Sequence, residues 1–254
     1  MISSHVKITE LEKPNLKKPT LIQGLPGLGF VGKIAVDFFI EQLKPQKIAE
    51  IYSTYLTLSD GEIGIKVNSN GTYALPKYEF YAYQERNPSI LFLTGDTQPT
   101  PWGQYHVAET VLDYVEGFGC KRLIALGGYS TSRNVKDVYV ITSDIMLINE
   151  YKNRVKLAKG GRIKGAFGII LGLGKKRGMD CLGLLGATNR VYPDLKSAKN
   201  VIQFIADMFD FPVHLKDFEK DITNREVNTK RLQQIQRASM KTEEKKGSFS
   251  DYIS

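Results

Sequence analysis

Cysteine and histidine are scarce in this chain of 254 residues, which has two of the first, Cys120 and Cys181, and three of the second, His5, His106 and His214. Two cysteines in apolar, glycine-containing stretches cannot build a disulfide scaffold, so reduced buried thiols and a cytoplasmic location are expected. No histidine stands at metal-ligand spacing from a cysteine or carboxylate, so no metal is expected. His106, beside Tyr105 and Glu109 near the start of a helix, reads as a surface or half-buried residue. A run of about 18 apolar residues is also missing, which excludes a membrane-spanning helix. Lys7, Glu10, Glu12 and Lys13 interrupt any signal-peptide core. No Walker A pattern exists, because Gly174-Lys175 is followed by Lys176 and position 169 is Ile. A Ser-His-Asp set, a nucleophile elbow, a paired-carboxylate site and a Cys-x-x-Cys motif are likewise lacking.

What is present describes an ordinary globular chain, with 42% hydrophobic and 24% charged residues. The net charge of +8 comes from 35 Lys and Arg against 27 Asp and Glu. Part of the excess is local, in Lys230, Arg231, Arg237, Lys241, Lys245 and Lys246. Such a basic stretch reads as a solvated tail, and without a groove-reading motif nucleic acid is not an expected partner.

Short apolar runs alternate with amphipathic ones. Strands are expected at Thr20 to Gln23, Lys47 to Ser53, Ile90 to Thr94, Arg122 to Leu126, Val138 to Thr142 and Cys181 to Leu185. Helices are expected at about Phe30 to Leu43, 104 to 117, 164 to 176, and from the cap residue Asp194 to Phe209. Ser143 is placed to cap a short helix after its strand. Strands alternating with helices give a three-layer α/β/α domain over residues 1–214. Between 61 and 83, Ile63, Ile65 and Val67 alternate, and Asn70-Gly71 signals a type I′ hairpin. That insertion makes the central sheet mixed. Its aromatics, Tyr73, Tyr78, Phe80 and Tyr81, are candidates for a self-association surface, or alternatively for packing inside the monomer. A helical segment over 215–240 and a mobile tail over 241–254 complete the expected organisation.

The sharpest local pattern is Gly24-Leu25-Pro26-Gly27-Leu28-Gly29-Phe30-Val31-Gly32. Gly27, Gly29 and Gly32 form Gly-x-Gly-x-x-Gly between a strand and a helix, the context of a dinucleotide site. Glu50 falls where a ribose-binding carboxylate would stand. The same glycines also suit a tight turn with close helix packing. The run Gly172 to Gly178, with Lys175, Lys176 and Arg177, could hold an anion or form a solvated loop. Small and polar residues gather where strands end, so a pocket is expected there with Asp96 and Asn189 as polar members.

Several segments together resemble the archaeal branch of the proteasome assembly chaperone family. They are the glycine-rich block from Gly24 to Gly32, Leu93-Thr94-Gly95-Asp96-Thr97-Gln98-Pro99, Leu126-Gly127-Gly128-Tyr129, Gly183-Leu184-Leu185-Gly186 and Tyr192-Pro193-Asp194-Leu195-Lys196-Ser197-Ala198. The resemblance implies an α/β/α fold like that of phosphorylases and hydrolases, used for binding rather than catalysis. It implies self-association, proteasome α subunits or the core particle as partners, and no cofactor. Family chaperones often dock through a C-terminal tail reading hydrophobic, Tyr, any residue. Here the last three residues are Tyr252, Ile253 and Ser254, so the tyrosine stands third from the end rather than second. The alternative on the same scaffold is a nucleotide- or nucleoside-using enzyme that receives phosphate at Gly27, Gly29 and Gly32.

Overall fold

The computed structural model describes residues 5–131, 137–189, 193–216 and 218–223. The chain divides at Val213 and His214 into two units. In the second, the carbonyl of Leu215 accepts from the Glu219 amide at 2.9 Å, one helical turn. The rest of the expected helical segment, and the tail with Tyr252, Ile253 and Ser254, lie outside the described residues.

In the first unit the strands are β1 (Val6–Glu10), β2 (Thr20–Gly24), β3 (Gln46–Ser53), β4 (Lys66–Val67), β5 (Tyr73–Ala74), β6 (Lys77–Tyr83), β7 (Ile90–Gly95), β8 (Arg122–Ser130), β9 (Val138–Thr142), β10 (Lys156–Leu157) and β11 (Asp180–Thr188). The helices are α1 (Val31–Leu43), α2 (Gln104–Glu116), α3 (Gly165–Lys176) and α4 (Leu195–Phe209). Among the described residues, nine strands form one mixed sheet in the order β1-β3-β6-β7-β2-β8-β11-β9-β10. The parallel centre, β7-β2-β8-β11, is buried on both faces over most of its length, and its sequences are correspondingly rich in apolar residues.

Helices α1 and α4 pack together, as do α2 and α3. The two pairs lie on opposite faces of the sheet. A Cβ at Gly183 would meet Phe167 and Leu171 of α3, whereas one at Gly186 would meet Ser197 and Val201 of α4 and Val31 of α1. The expected α/β/α sandwich is therefore present. The core between the sheet and the α2–α3 layer holds Leu21, Ile51, Phe80, Leu93, Val111, Leu112 and Ile170. Arg177 ties this layer together, because its guanidinium meets the carboxylates of Glu109, Asp113 and Glu116 along α2.

Three local expectations change. Val6 to Glu10 is an edge strand, paired antiparallel with β3, where no strand was expected. Val6 and Ile8 pack onto the core, while Lys7 and Thr9 are exposed. The insertion is a two-residue ribbon, β4 with β5, and β6 belongs to the main sheet between β3 and β7. Its turn is not type I′, because Gly71 takes a positive φ of 81° and Asn70 does not. The Gly71 amide donates to the Asn68 carbonyl at 2.9 Å, so Gly71 supplies the left-handed residue that follows a type I turn. After β9 the cap is Asp144, which accepts from the Met146 amide at 2.9 Å. Ser143 instead accepts from the Cys181 amide, also at 2.9 Å.

Candidate functional site

The glycine-rich turn carries the chain from β2 into α1 through a single 3-10 turn, Leu28–Phe30. Two consecutive residues are left-handed there, Gly29 at φ 61° and Phe30 at φ 54°. A phenylalanine in that region is disfavoured by about 1–2 kcal/mol, so the surroundings must hold the turn in place. Close packing is the first restraint. A Cβ at Gly24 would lie 2.1 Å from the carbonyl oxygen of Gly32, and one at Gly128 would lie 2.3 Å from that of Leu28. The second restraint is a buried network at the start of α4. The Asp194 amide donates to the Gly29 carbonyl at 2.8 Å. Its carboxylate accepts from the Thr188 hydroxyl at 2.7 Å, the Ser197 hydroxyl at 2.9 Å and the Ser197 amide at 3.1 Å. Asp194 thus caps α4, as expected, and also fixes the turn.

Gln98 supplies the third restraint. Its Nε2 donates to the Pro26 carbonyl at 2.6 Å, and its Oε1 accepts from the Ala166 amide at 3.2 Å. One side chain therefore bridges the glycine-rich turn and the amino end of α3.

Beside this bridge lies an open cavity of about 430 Å³ at the carboxyl ends of β2 and β8. This volume falls in the range of small-ligand pockets. In open α/β sheets such a crevice forms where successive helices leave for opposite faces. Here α1 follows the carboxyl end of β2 and α2 that of the neighbouring β7, on opposite faces of the sheet. Leu28, Ile141, Phe167 and Leu185 give the cavity apolar walls. Gln23, Gln98, Tyr129, Ser130, Arg162 and Lys164 give it polar ones. The Tyr129 ring stacks on Tyr139 with centroids 4.4 Å apart. Among the described residues the lining carries no carboxylate, imidazole or thiol. Nor do the described residues contain a group of His, Cys, Asp or Glu that could hold a metal ion.

A sequence profile of the PAC2 family matches residues 21–233. The chain belongs to the PAC2 family. It is similar to the crystal structure of Pyrococcus furiosus PbaB, an archaeal proteasome activator, with 30% identity and a TM-score of 0.82 over 91% of this chain and 99% of that one. Pyrococcus furiosus PbaA, an archaeal homolog of proteasome-assembly chaperone, shares the fold at 23% identity and a TM-score of 0.77, with 98% of this chain and 99% of that one covered. The uncharacterized protein MJ1210 of Methanocaldococcus jannaschii is 28% identical over 94% of this chain and 92% of its own length.

In this PAC2 chain, four of the segments that carry the resemblance converge on the cavity, one of them through Leu185 of β11. Gly27 and Leu28 come from the glycine-rich block, Gln98 from the block after β7, and Gly127, Gly128 and Tyr129 from β8. Of the glycines considered for phosphate, only Gly27 lines the cavity. Gly29 is buried against Asp194 and Thr188, and Gly32 against β8. Glu50 is not a ribose ligand of this turn. It stands on β3, three strands away from β2, in an ion cluster with Lys47 and Lys77 that also includes Glu79. Burial works against both charges, but the two lysines outweigh it and hold the Glu50 and Glu79 carboxyls below their usual range.

Asp96 and Asn189 are not in the cavity lining. Asp96 pairs with Lys66 at 2.5 Å and accepts from the Lys77 amide at 3.2 Å, which anchors the β4–β5 ribbon. Lys175 and Lys176 form the last turn of α3 rather than an anion-binding loop. His106 is exposed and stacks on Tyr55 at 5.6 Å.

Of the four aromatics expected at a surface, Tyr78 and Phe80 are buried inside the monomer, because β6 is an interior strand of the sheet. Phe80 packs on Tyr114 with centroids 4.9 Å apart. Tyr81 is half-buried and donates to Glu79 at 3.1 Å, whereas Tyr73 is 72% exposed. Sequence reasoning missed Gln23, Arg162 and Lys164. For Gln23 the signal was available: a single amide in a strand otherwise built for full burial.

Proposed function

We propose that this PAC2-family chain acts by binding proteasome α subunits or the proteasome core particle, in the manner of an assembly chaperone or activator, and that it works in the cytoplasm without a cofactor or a reaction of its own. The observation that carries this reading is the likeness to PbaB along nearly the whole of both chains. The cavity lining fits it, since the described residues there offer no nucleophile–base pair.

Self-association is part of the proposal, through the β4–β5 ribbon with Tyr73 and Tyr81. Val67 and Tyr73 are 69% and 72% exposed, and Ile63 stands beside the ribbon at 94%. Apolar groups gathered this way mark a contact surface. Replacing Val67 and Tyr73 by Lys gives a smaller species in analytical ultracentrifugation, with folded stability changed by less than about 0.5 kcal/mol. The segment 241–254, ending in Tyr252, Ile253 and Ser254, is proposed as a docking arm. An apolar side chain and an aromatic one can together fill a pocket on a partner.

The test is binding of the full chain, and of a chain ending at Ser248, to core particle and to free α subunits from the same cell. Binding lost on truncation assigns the contact to Tyr252 and Ile253. Binding that survives truncation moves it to the folded unit. No binding by either chain overturns the proposal.

A further inference from the structure

Gln23 is 3% exposed, yet among the described residues its side-chain amide has no hydrogen-bond partner, and the residue lines the cavity at the end of β2. The amide opens on the cavity, where solvent or the polar edge of a bound molecule can meet it. The charges around the cavity have one sign. Arg162 and Lys164 approach from the loop before α3, and no acidic side chain opposes them among the described lining residues. Helix α3 begins at the same place. Lys164, at its cap position, makes no side-chain bond to the helix, and the first turn contains no acidic residue. The amino end of a helix is a partial positive charge and favours an anion. The Phe167 ring, Leu185 and the Tyr129 ring, which stacks on Tyr139, also line the cavity.

We propose that this cavity binds a small organic anion, a carboxylate or phosphate carried on a flat apolar body, with the anionic group met by Arg162, Lys164 and the amino end of α3 and a polar edge of the body hydrogen-bonded by Gln23. The volume of about 430 Å³ admits a molecule of mononucleotide size and is far too small for a folded partner. The proposal is independent of proteasome binding, because it rests on the lining residues alone.

The experiment is isothermal titration of the full chain with AMP and with phenylpyruvate, and with adenosine as the uncharged counterpart. The variants are Gln23→Leu, which replaces the amide with an apolar group of similar volume, and the double variant R162A/K164A, which changes only exposed loop residues. The expected result is saturable binding of AMP or phenylpyruvate, weakened at least tenfold in both variants. Which of the two binds distinguishes a phosphate from a carboxylate ligand. Should Gln23→Leu fail to fold, the loop double variant decides alone. Adenosine binding as tightly as AMP, anion binding unchanged in R162A/K164A, or no binding of either anion at millimolar concentration overturns the proposal.

Discussion

Gly32 packs against Leu126 so closely that a Cβ on it would lie 2.0 Å from the Leu126 carbonyl oxygen. Neither partner can yield easily, since one is helix backbone and the other sheet backbone. Gly32→Ala therefore pushes α1 off β8 and lowers stability by about 1–3 kcal/mol, or more if the glycine-rich turn moves with it. Gly172 is the contrast. It sits in α3 with nothing within 4 Å of the point a Cβ would occupy, so Gly172→Ala raises stability by up to about 1 kcal/mol. Urea unfolding of both variants checks the pair, and equal effects would remove the packing explanation.

Asp194 joins the turn at Gly29 to the start of α4. Asp194→Ala removes the cap and the carboxylate that accepts from the Thr188 hydroxyl and from the Ser197 amide and hydroxyl, although the Ser197 hydroxyl keeps the Ala187 carbonyl as an acceptor. The expected loss is about 2–4 kcal/mol, more than the loss of an exposed cap. Hydrogen exchange locates it: amides at the start of α4 and in the 3-10 turn lose protection together. If only α4 responds, the coupling to the turn is wrong.

The Tyr78 hydroxyl is fully buried and has no partner among the described residues. Burial alone pushes its ionisation far above the usual tyrosine range. Removing the oxygen leaves the ring in place, so Tyr78→Phe is expected to gain about 1 kcal/mol. A loss in thermal unfolding would mean that the hydroxyl is satisfied.

Both cysteines are buried, and burial pushes both thiols up to about 11. For Cys120 backbone hydrogen bonding at Leu21 and Arg122 offsets part of that rise. In the unfolded chain a thiol ionises near pH 8.5, whereas the folded chain keeps it protonated. Unfolding thus releases protons once the pH exceeds that value. The thiol contribution is whole below it and is lost progressively as the pH climbs to about 11, by up to ~1.4 kcal/mol per pH unit for each thiol. Tyr114, raised to about 12 chiefly by burial, adds the same sign above pH 10. Unfolding curves between pH 8 and 10 are therefore steeper for the native chain than for C120A/C181A. Identical slopes would place the thiols in water.

Much of the sandwich was legible in the sequence, because a doubly covered strand is an apolar run and a covering helix carries an apolar stripe. The ranges of β2, β7 and α2 and the capping role of Asp194 follow from local composition. Residues 6–10 were not recognised as a strand, since an edge strand buries only one face, and two apolar residues among charges resemble a polar leader. The aromatics of β6 misled for a related reason. Alternation along Tyr78, Phe80 and Tyr81 fits a surface ribbon as well as a sheet strand, and only pairing to β3 and β7 distinguishes the two.

The site divides in the same way. The glycine pattern by itself determined a tight strand-to-helix turn, because backbone that must approach backbone tolerates no side chain. What fills the space beside each glycine was decided by the tertiary structure. Leu126 reaches Gly32 and Asp194 reaches Gly29 from segments 94 and 165 residues further along, and Gln98, Phe167 and Lys164 meet Gly27 around one cavity. Local sequence sets which φ and ψ a residue can adopt. The order of strands in the sheet sets which distant residues share the space outside their carboxyl ends, and no local pattern contains that order.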